Sequence, residues 1–379
     1  MNQKLNQSDK SYIALKSLLV RIIVVISILI TGLISACKRE AKDSQPFETV
    51  DNLFTEWNNT HSPGCALAII KDGKILYEHG YGMADLEHDI PVSPNSVFNI
   101  ASVSKQFVAM CLLLLEEEGK LSLEDNIRKY LPEFPEYNSP ITIKNLIFHT
   151  SGIADFHMIW DIEGKDALNR TPAEEVFKLI CSQEKLDFTP GEKQLYSNSG
   201  YFLSSIIIRR VSGKSLKDYA KEKIFIPLGM RNSEFLDDNK SIIKNRACGY
   251  TPLIEGGFGN AIMRYDLVGG GGLYSTVEDL YLWDQNFYHN KLGNGSQLLI
   301  DKMLTNGRTN DGKEVNYAYG IINGNYKGFR IVQHTGDFGG YKSFMVRFPD
   351  KNLSVIVLSN LAGFSASSLA YQVADIFIL

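Results

Sequence analysis

The chain has 379 residues, 44% of them hydrophobic and 22% charged, with a formal net charge of -4. That is a globular composition, long enough to bury a substantial core in one large domain or two small ones, and it excludes a disordered or collagen-like chain. Residues 1–36 hold Lys4, Lys10, Lys16 and Arg21 against Asp9, so the body behind them is more acidic still, which argues against nucleic acid as a partner.

Basic residues up to Arg21 are followed by an uncharged, mostly apolar run from Ile22 to Ala36. The run is shorter than the roughly 20 residues that a membrane-spanning helix needs, so it is expected to be a secretory signal. It ends in Leu33-Ile34-Ser35-Ala36-Cys37, which resembles the lipobox of bacterial lipoproteins, where the cysteine is acylated and becomes N-terminal after cleavage. The expected organisation is therefore a signal over 1–36, a lipidated Cys37 with a polar tether over 37–46, and a domain over 47–379 held at the membrane outside the cytoplasm, in the cell envelope. Cys65, Cys111, Cys181 and Cys248 sit singly in apolar contexts and are expected to be buried free thiols. No Cys or His cluster has metal-ligand spacing, so no metal site is expected.

Phe47, Val50, Leu53, Phe54 and Trp57 recur at helical spacing, and the apolar runs Cys65–Ile70 and Lys74–Tyr77 flank Lys71-Asp72-Gly73, a hairpin signal. Val103 to Glu118 predicts a long helix closed by Gly119. Thr171-Pro172-Ala173-Glu174 predicts an N-cap with a capping box, and further helices are expected over Ser199–Val211 and Leu216–Phe225. Strand-like runs follow at Tyr319–Ile322, Arg330–His334, Tyr341–Phe348 and Leu353–Leu358, before a last helix from Ser365. Strands at both ends with helices between them predict an α/β fold of the α+β type: an antiparallel sheet built from the N- and C-terminal segments, flanked by helices, with an inserted helical subdomain and a site in the groove between them.

Three strings carry the chemistry. Ser-x-x-Lys occurs at Ser35, Ser102, Ser182 and Ser241, but only Ser102 lies where an apolar run gives way to a long helix. There its N–H lacks an intrahelical partner and an oxyanion is favoured, while Lys105 lies on the same helical face. A lysine made a poor ammonium by burial is a base able to activate a serine. Tyr-x-Asn occurs at Tyr196-Ser-Asn198 and Tyr288-His-Asn290, and the first, after Pro190-Gly191 and before a helix, is placed to face a groove. Its phenol is able to ionise or relay a proton and its amide to hold Lys105 and a substrate carbonyl. His334-Thr335-Gly336 ends a strand-like run; Gly336 is expected to let a substrate backbone approach, and the N–H groups beyond it to complete an oxyanion hole.

Phe98 to Phe107, Leu146 to Gly152, Tyr196 to Tyr201, Pro227 to Met230, Gly270 to Ser275 and His334 to Gly336 together resemble the class C β-lactamase and penicillin-binding-protein-like serine hydrolase family over roughly Phe47 to Leu379. The resemblance implies a β-lactamase/transpeptidase-like fold, Ser102 as acylated nucleophile, Lys105 and Tyr196 as its proton-transfer partners, and no metal or organic cofactor. It implies Asn198 as a contact of substrate and Lys105, the 334–337 strand (His334, Thr335, Gly336, Asp337) as substrate-binding, and the N–H groups of Ser102 and Asp337 as the oxyanion hole. Class C β-lactamases carry lysine where this chain has His334, whereas several DD-peptidases, esterases and D-aminopeptidases of the family carry histidine. A histidine is largely neutral near pH 7, which argues against efficient β-lactam turnover. No Ser-Asp-Asn string or Gly-x-Ser-x-Gly elbow is present, which speaks against a class A enzyme and an α/β-hydrolase. The expected partner is a small ester, D-residue peptide or peptidoglycan-like substrate. The alternatives are a β-lactamase with true turnover, or a lipoprotein that keeps the fold as a non-catalytic penicillin-binding or sensor module.

Overall fold

A computed structural model describes residues 46–165, 168 and 171–378, together with the isolated positions 7, 11, 12 and 16. The signal run, Cys37 and nearly all of the tether lie outside the described residues. Two units are distinguished, 1–52 and 53–379. Residues 46–53 are helical, and the predicted first helix stops there: 54–57 are turns. Among the described residues no helix is long and apolar enough to cross a membrane.

The second unit is organised by a six-stranded antiparallel sheet. Strands β1 (Cys65–Lys71) and β2 (Lys74–Tyr81) form the predicted hairpin. Asp72 and Gly73 both have positive φ, 50° and 78°, the combination a two-residue turn needs to match strand twist. The C-terminal segment supplies β3 (Ile322–Tyr326), β4 (Phe329–Phe338), β5 (Tyr341–Phe348) and β6 (Leu353–Ser359), and the sheet order is β3-β4-β5-β6-β1-β2. The β1–β6 pairing, Cys65 opposite Ser359 through Lys71 opposite Leu353, joins the two ends of the domain as the sequence predicts. β6 is buried at every residue, because the helix Ala366–Ile378 packs against it and the helix Val277–Asn286 also contacts it. The predicted strand over 319–322 lies instead at 322–326, since Tyr319 and Ile321 are drawn into the helical core.

Helices fill the middle of the chain. The predicted helix over 103–118 is a 3-10 turn, Ala101–Ser104, running into an α-helix, Lys105–Glu117. Every residue from Lys105 to Leu115 is buried, so this is a central helix rather than an amphipathic surface one. The capping box at 171 does not form: Pro172 itself is the N-cap of Ala173–Cys181 and makes no side-chain cap bond. The helix predicted over 216–225 is α only to Ala220 and continues as a π-helical turn to Phe225. Cys65 and Cys111 are buried thiols as expected, but Cys181 and Cys248 are only partly buried; all four are unpaired.

Candidate active site

The site forms where the 3-10 turn meets β4 and the start of the helix Asn198–Ser212. Phe98–Asn99 pairs with Leu273–Ser275 in a small sheet, and Asn99 Oδ1 accepts from the Ala101 N–H at 2.8 Å, turning the chain sharply. Ala101 has φ of 46°, a left-handed conformation that costs an alanine about 1–2 kcal/mol. Ser104 accepts from the Leu273 N–H at 3.2 Å, locking the turn from the other side. Ser102 is thereby held partly exposed on a rigid corner between a buried strand and a buried helix.

Lys105 is fully buried one turn further on. Its Nζ lies 3.0 Å from Ser102 Oγ and 2.8 Å from Asn198 Oδ1, and it also bonds the Gly270 carbonyl. All three partners are neutral. Burial pushes its pKa from 10.5 down to about 7, against the opposing pull of Asp155.

Tyr196 stands in the coil before the helix. The residue is 41% exposed, but its hydroxyl donates to Ser102 Oγ at 2.9 Å. Burial of the hydroxyl drives its pKa upward, so the group is a phenol and not the phenolate that the sequence left open. Asn198, the first residue of its helix, is oriented by Asp155, whose Oδ2 accepts from both the Asn198 backbone N–H and Nδ2, each at 2.8 Å. Its Nδ2 also lies 3.3 Å from His157 Nδ1. The amide is thus committed to protein partners, and a role in binding a substrate carbonyl has to compete with them.

The strand 334–337 departs furthest from expectation. His334 is inside β4, not at its end, and is 2% exposed. Its Nδ1–H donates to the Thr335 carbonyl at 2.6 Å, and Nε2 accepts from Tyr317 at 2.9 Å. Burial, reinforced by the charge of Lys105, pulls its pKa down to about 4. His334 is therefore a neutral, covered group that does not line the cavity, and direct substrate contact is not its place. Nor does Gly336 face a substrate: a Cβ there would lie 2.1 Å from Ser343 Oγ and 2.3 Å from the Ile100 carbonyl, so its small size serves the packing of β4 on the nucleophile turn. Thr335 and Asp337 project to the exposed side, where Asp337 pairs with Lys342 across the strands. Asp337 does reach the cavity, which Ser102, Asn198, His157, Tyr265 and Phe338 also line.

Asp155, His157 and Tyr265 had no role assigned from sequence. Asp155 is readable as an N-cap before an apolar run, and it does cap the helix Phe156–Ile162, but nothing local announces its second duty on Asn198. Away from the cleft, Asp85, Glu87 and His88 bring ligand atoms within 4.8 Å of one another at the surface, where Asp85 and His88 pair at 2.8 Å.

A family model described as Beta-lactamase matches residues 50–377. Penicillin-binding protein 4* of Bacillus subtilis (strain 168) is 31% identical over 326 residues, which are 82% of this chain and 71% of that protein. A D-aminopeptidase of Gluconobacter oxydans (strain 621H) is 27% identical over 298 residues, 79% of this chain but only 56% of that protein. The chain thus spans between just over half and about seven tenths of these curated relatives. Among solved structures, the octameric penicillin-binding protein homologue from Pyrococcus abyssi superposes with a TM-score of 0.76 at 31% identity, covering 88% of this chain and 77% of that one.

Proposed function

Since the chain belongs to the Beta-lactamase family, we propose that it is a serine hydrolase that works through an acyl-enzyme at Ser102, acting on D-amino-acid amides and peptides or on esters. One observation carries this reading: a partly exposed hydroxyl at a cavity with a desolvated amine 3.0 Å and a phenol 2.9 Å from the same oxygen. Neutral Lys105 takes the Ser102 proton as Oγ attacks the acyl carbon; Tyr196, a phenol at rest, passes its proton to the departing amine or alcohol and is reprotonated from the Lys105 ammonium, which returns Lys105 to the amine. The N–H groups of Ser102 and Asp337 would receive the oxyanion, as the resemblance implies. Water then attacks the ester by the reverse path and frees Ser102. The D-amino-acid preference draws support from the similarity to a D-aminopeptidase. β-Lactam turnover is disfavoured, because His334 is neutral and covered and so supplies no cation for a substrate carboxylate. Export and lipidation at Cys37 are part of the same proposal and rest on the lipobox-like string alone.

The test is intact mass after incubation with D-alanyl amides, p-nitrophenyl esters and a fluorophosphonate. A single adduct that maps to Ser102 and is absent from Ser102→Ala is expected; an adduct retained in that variant sinks the proposal.

A further inference from the structure

We infer that His149 is a positioning residue that holds the Tyr196 phenol on the nucleophile. The inference rests on the acyl-enzyme reading above and adds a residue that touches no reacting atom. His149 follows the helix Ile143–Ile147 and is 1% exposed. Its carbonyl accepts from the Leu195 N–H at 2.9 Å, and its Nδ1 accepts from the Ser197 N–H at 3.1 Å. These two bonds bracket Tyr196, one on each side. Its ring centroid also lies 4.3 Å from that of Tyr196, with an interplanar angle of 35°. Tyr196 needs such a hold: it lies in coil, is partly exposed, and follows the half-exposed Leu195, yet its hydroxyl must stay within bonding reach of Ser102. A displacement of 1 Å in a reacting group costs about 100-fold in rate.

Two costs at His149 argue that space-filling is not its purpose. Its φ is 58°, a left-handed conformation uncommon outside glycine, although histidine adopts it more readily than most residues. Because Nδ1 accepts a bond, the neutral ring carries its proton on Nε2, and that buried nitrogen finds no hydrogen-bond partner among the described residues. An apolar ring packed between Tyr196 and Tyr317, whose centroid is 4.5 Å away, would avoid the second cost entirely. What it would lose is the Nδ1 acceptor on Ser197. Strain that persists beside a reactive serine fits a functional demand.

The experiment uses the full chain and follows the maximal rate at which a D-alanyl amide or an alkyl ester, whose leaving groups need the Tyr196 proton, labels Ser102 as the acyl-enzyme in intact mass, with thermal melts as a check on folding. His149→Gly and His149→Asn both tolerate the backbone, but only asparagine keeps an acceptor where Nδ1 sits. Expected are a loss of about tenfold or more in maximal rate for His149→Gly with little change in half-saturating concentration, recovery of most of that loss in His149→Asn, and a glycine effect below about twofold in a Tyr196→Phe background. If the glycine variant does not fold, His149→Phe, which refills the space without an acceptor, takes its place. Labelling at the parental rate without the acceptor, or a loss that persists undiminished in Tyr196→Phe, overturns the inference while leaving the acyl-enzyme reading intact. If Tyr196→Phe alone labels at the parental rate, the proton-relay role of Tyr196 fails and the inference falls with it.

Discussion

Among the described residues, two basic side chains, Lys105 and Arg347, are buried in this domain, and they meet opposite fates. Arg347 on β5 is 2% exposed and pairs through Nε with Asp284 at 2.8 Å, while its guanidinium stacks 3.8 Å from the Phe287 ring centroid. Asp284 Oδ1 accepts as well from Ser354 at 2.9 Å. Burial lowers the pKa of Arg347 too, but a guanidinium starts so high, and Asp284 opposes the shift so directly, that it stays a cation. Lys105 suffers the same desolvation with only a hydroxyl, an amide oxygen and a main-chain carbonyl for company, because the nearby carboxylate of Asp155 is spent on Asn198. A buried cation that is given a counterion becomes a strut; one denied a counterion becomes a base.

The comparison can be broken most severely at Lys105. Lys105→Arg installs a cation that does not release its proton, so labelling of Ser102 should fall about 10²- to 10⁴-fold, as far as in Lys105→Ala. Retention of the parental rate by the arginine variant would show that no neutral amine is needed. The reverse intervention is Arg347→Ala, which strands Asp284 and should destabilise the fold by about 3–5 kcal/mol in denaturant melts, while the folded fraction labels within about twofold of the parental rate. The smallest effect sharpens the contrast. With the Lys105 pKa near 7 and the amine as active form, acylation should rise as pH increases through about 7 and level off above it. The linked stability has the same sign: the folded chain binds fewer protons than the unfolded one between about 7 and 10.5, so stability increases with pH across that window. Rate measurements that are flat from pH 6 to 8 would remove the base assignment.

Sequence and structure agree best where chemistry is local. Ser102 and Lys105 are three residues apart, so any helical turn brings them together; Asp72-Gly73 specifies its own hairpin; β5 runs over the predicted residues because the Pro349–Lys351 turn ends a short run that is buried almost throughout. They diverge where one residue answers to several distant ones. His334 looked like a strand-end contact, yet its position within β4 and the hydroxyl of Tyr317 cover it. Gly336 looked like room for a substrate, but that room is filled by Ser343 and Ile100. Asp155 and His149 offered no local signal for what they hold, since their partners lie 43 and 48 residues away.

What the sequence by itself determined is the nucleophile pair, the tyrosine and asparagine that join it, and a sheet closed by the two ends of the domain, because spacing and apolar period constrain near neighbours directly. Only the tertiary structure decided the protonation states. Whether Lys105 is an amine, Tyr196 a phenol and His334 neutral depends on how much water and which charges surround each, and those surroundings are assembled from segments far apart in the chain.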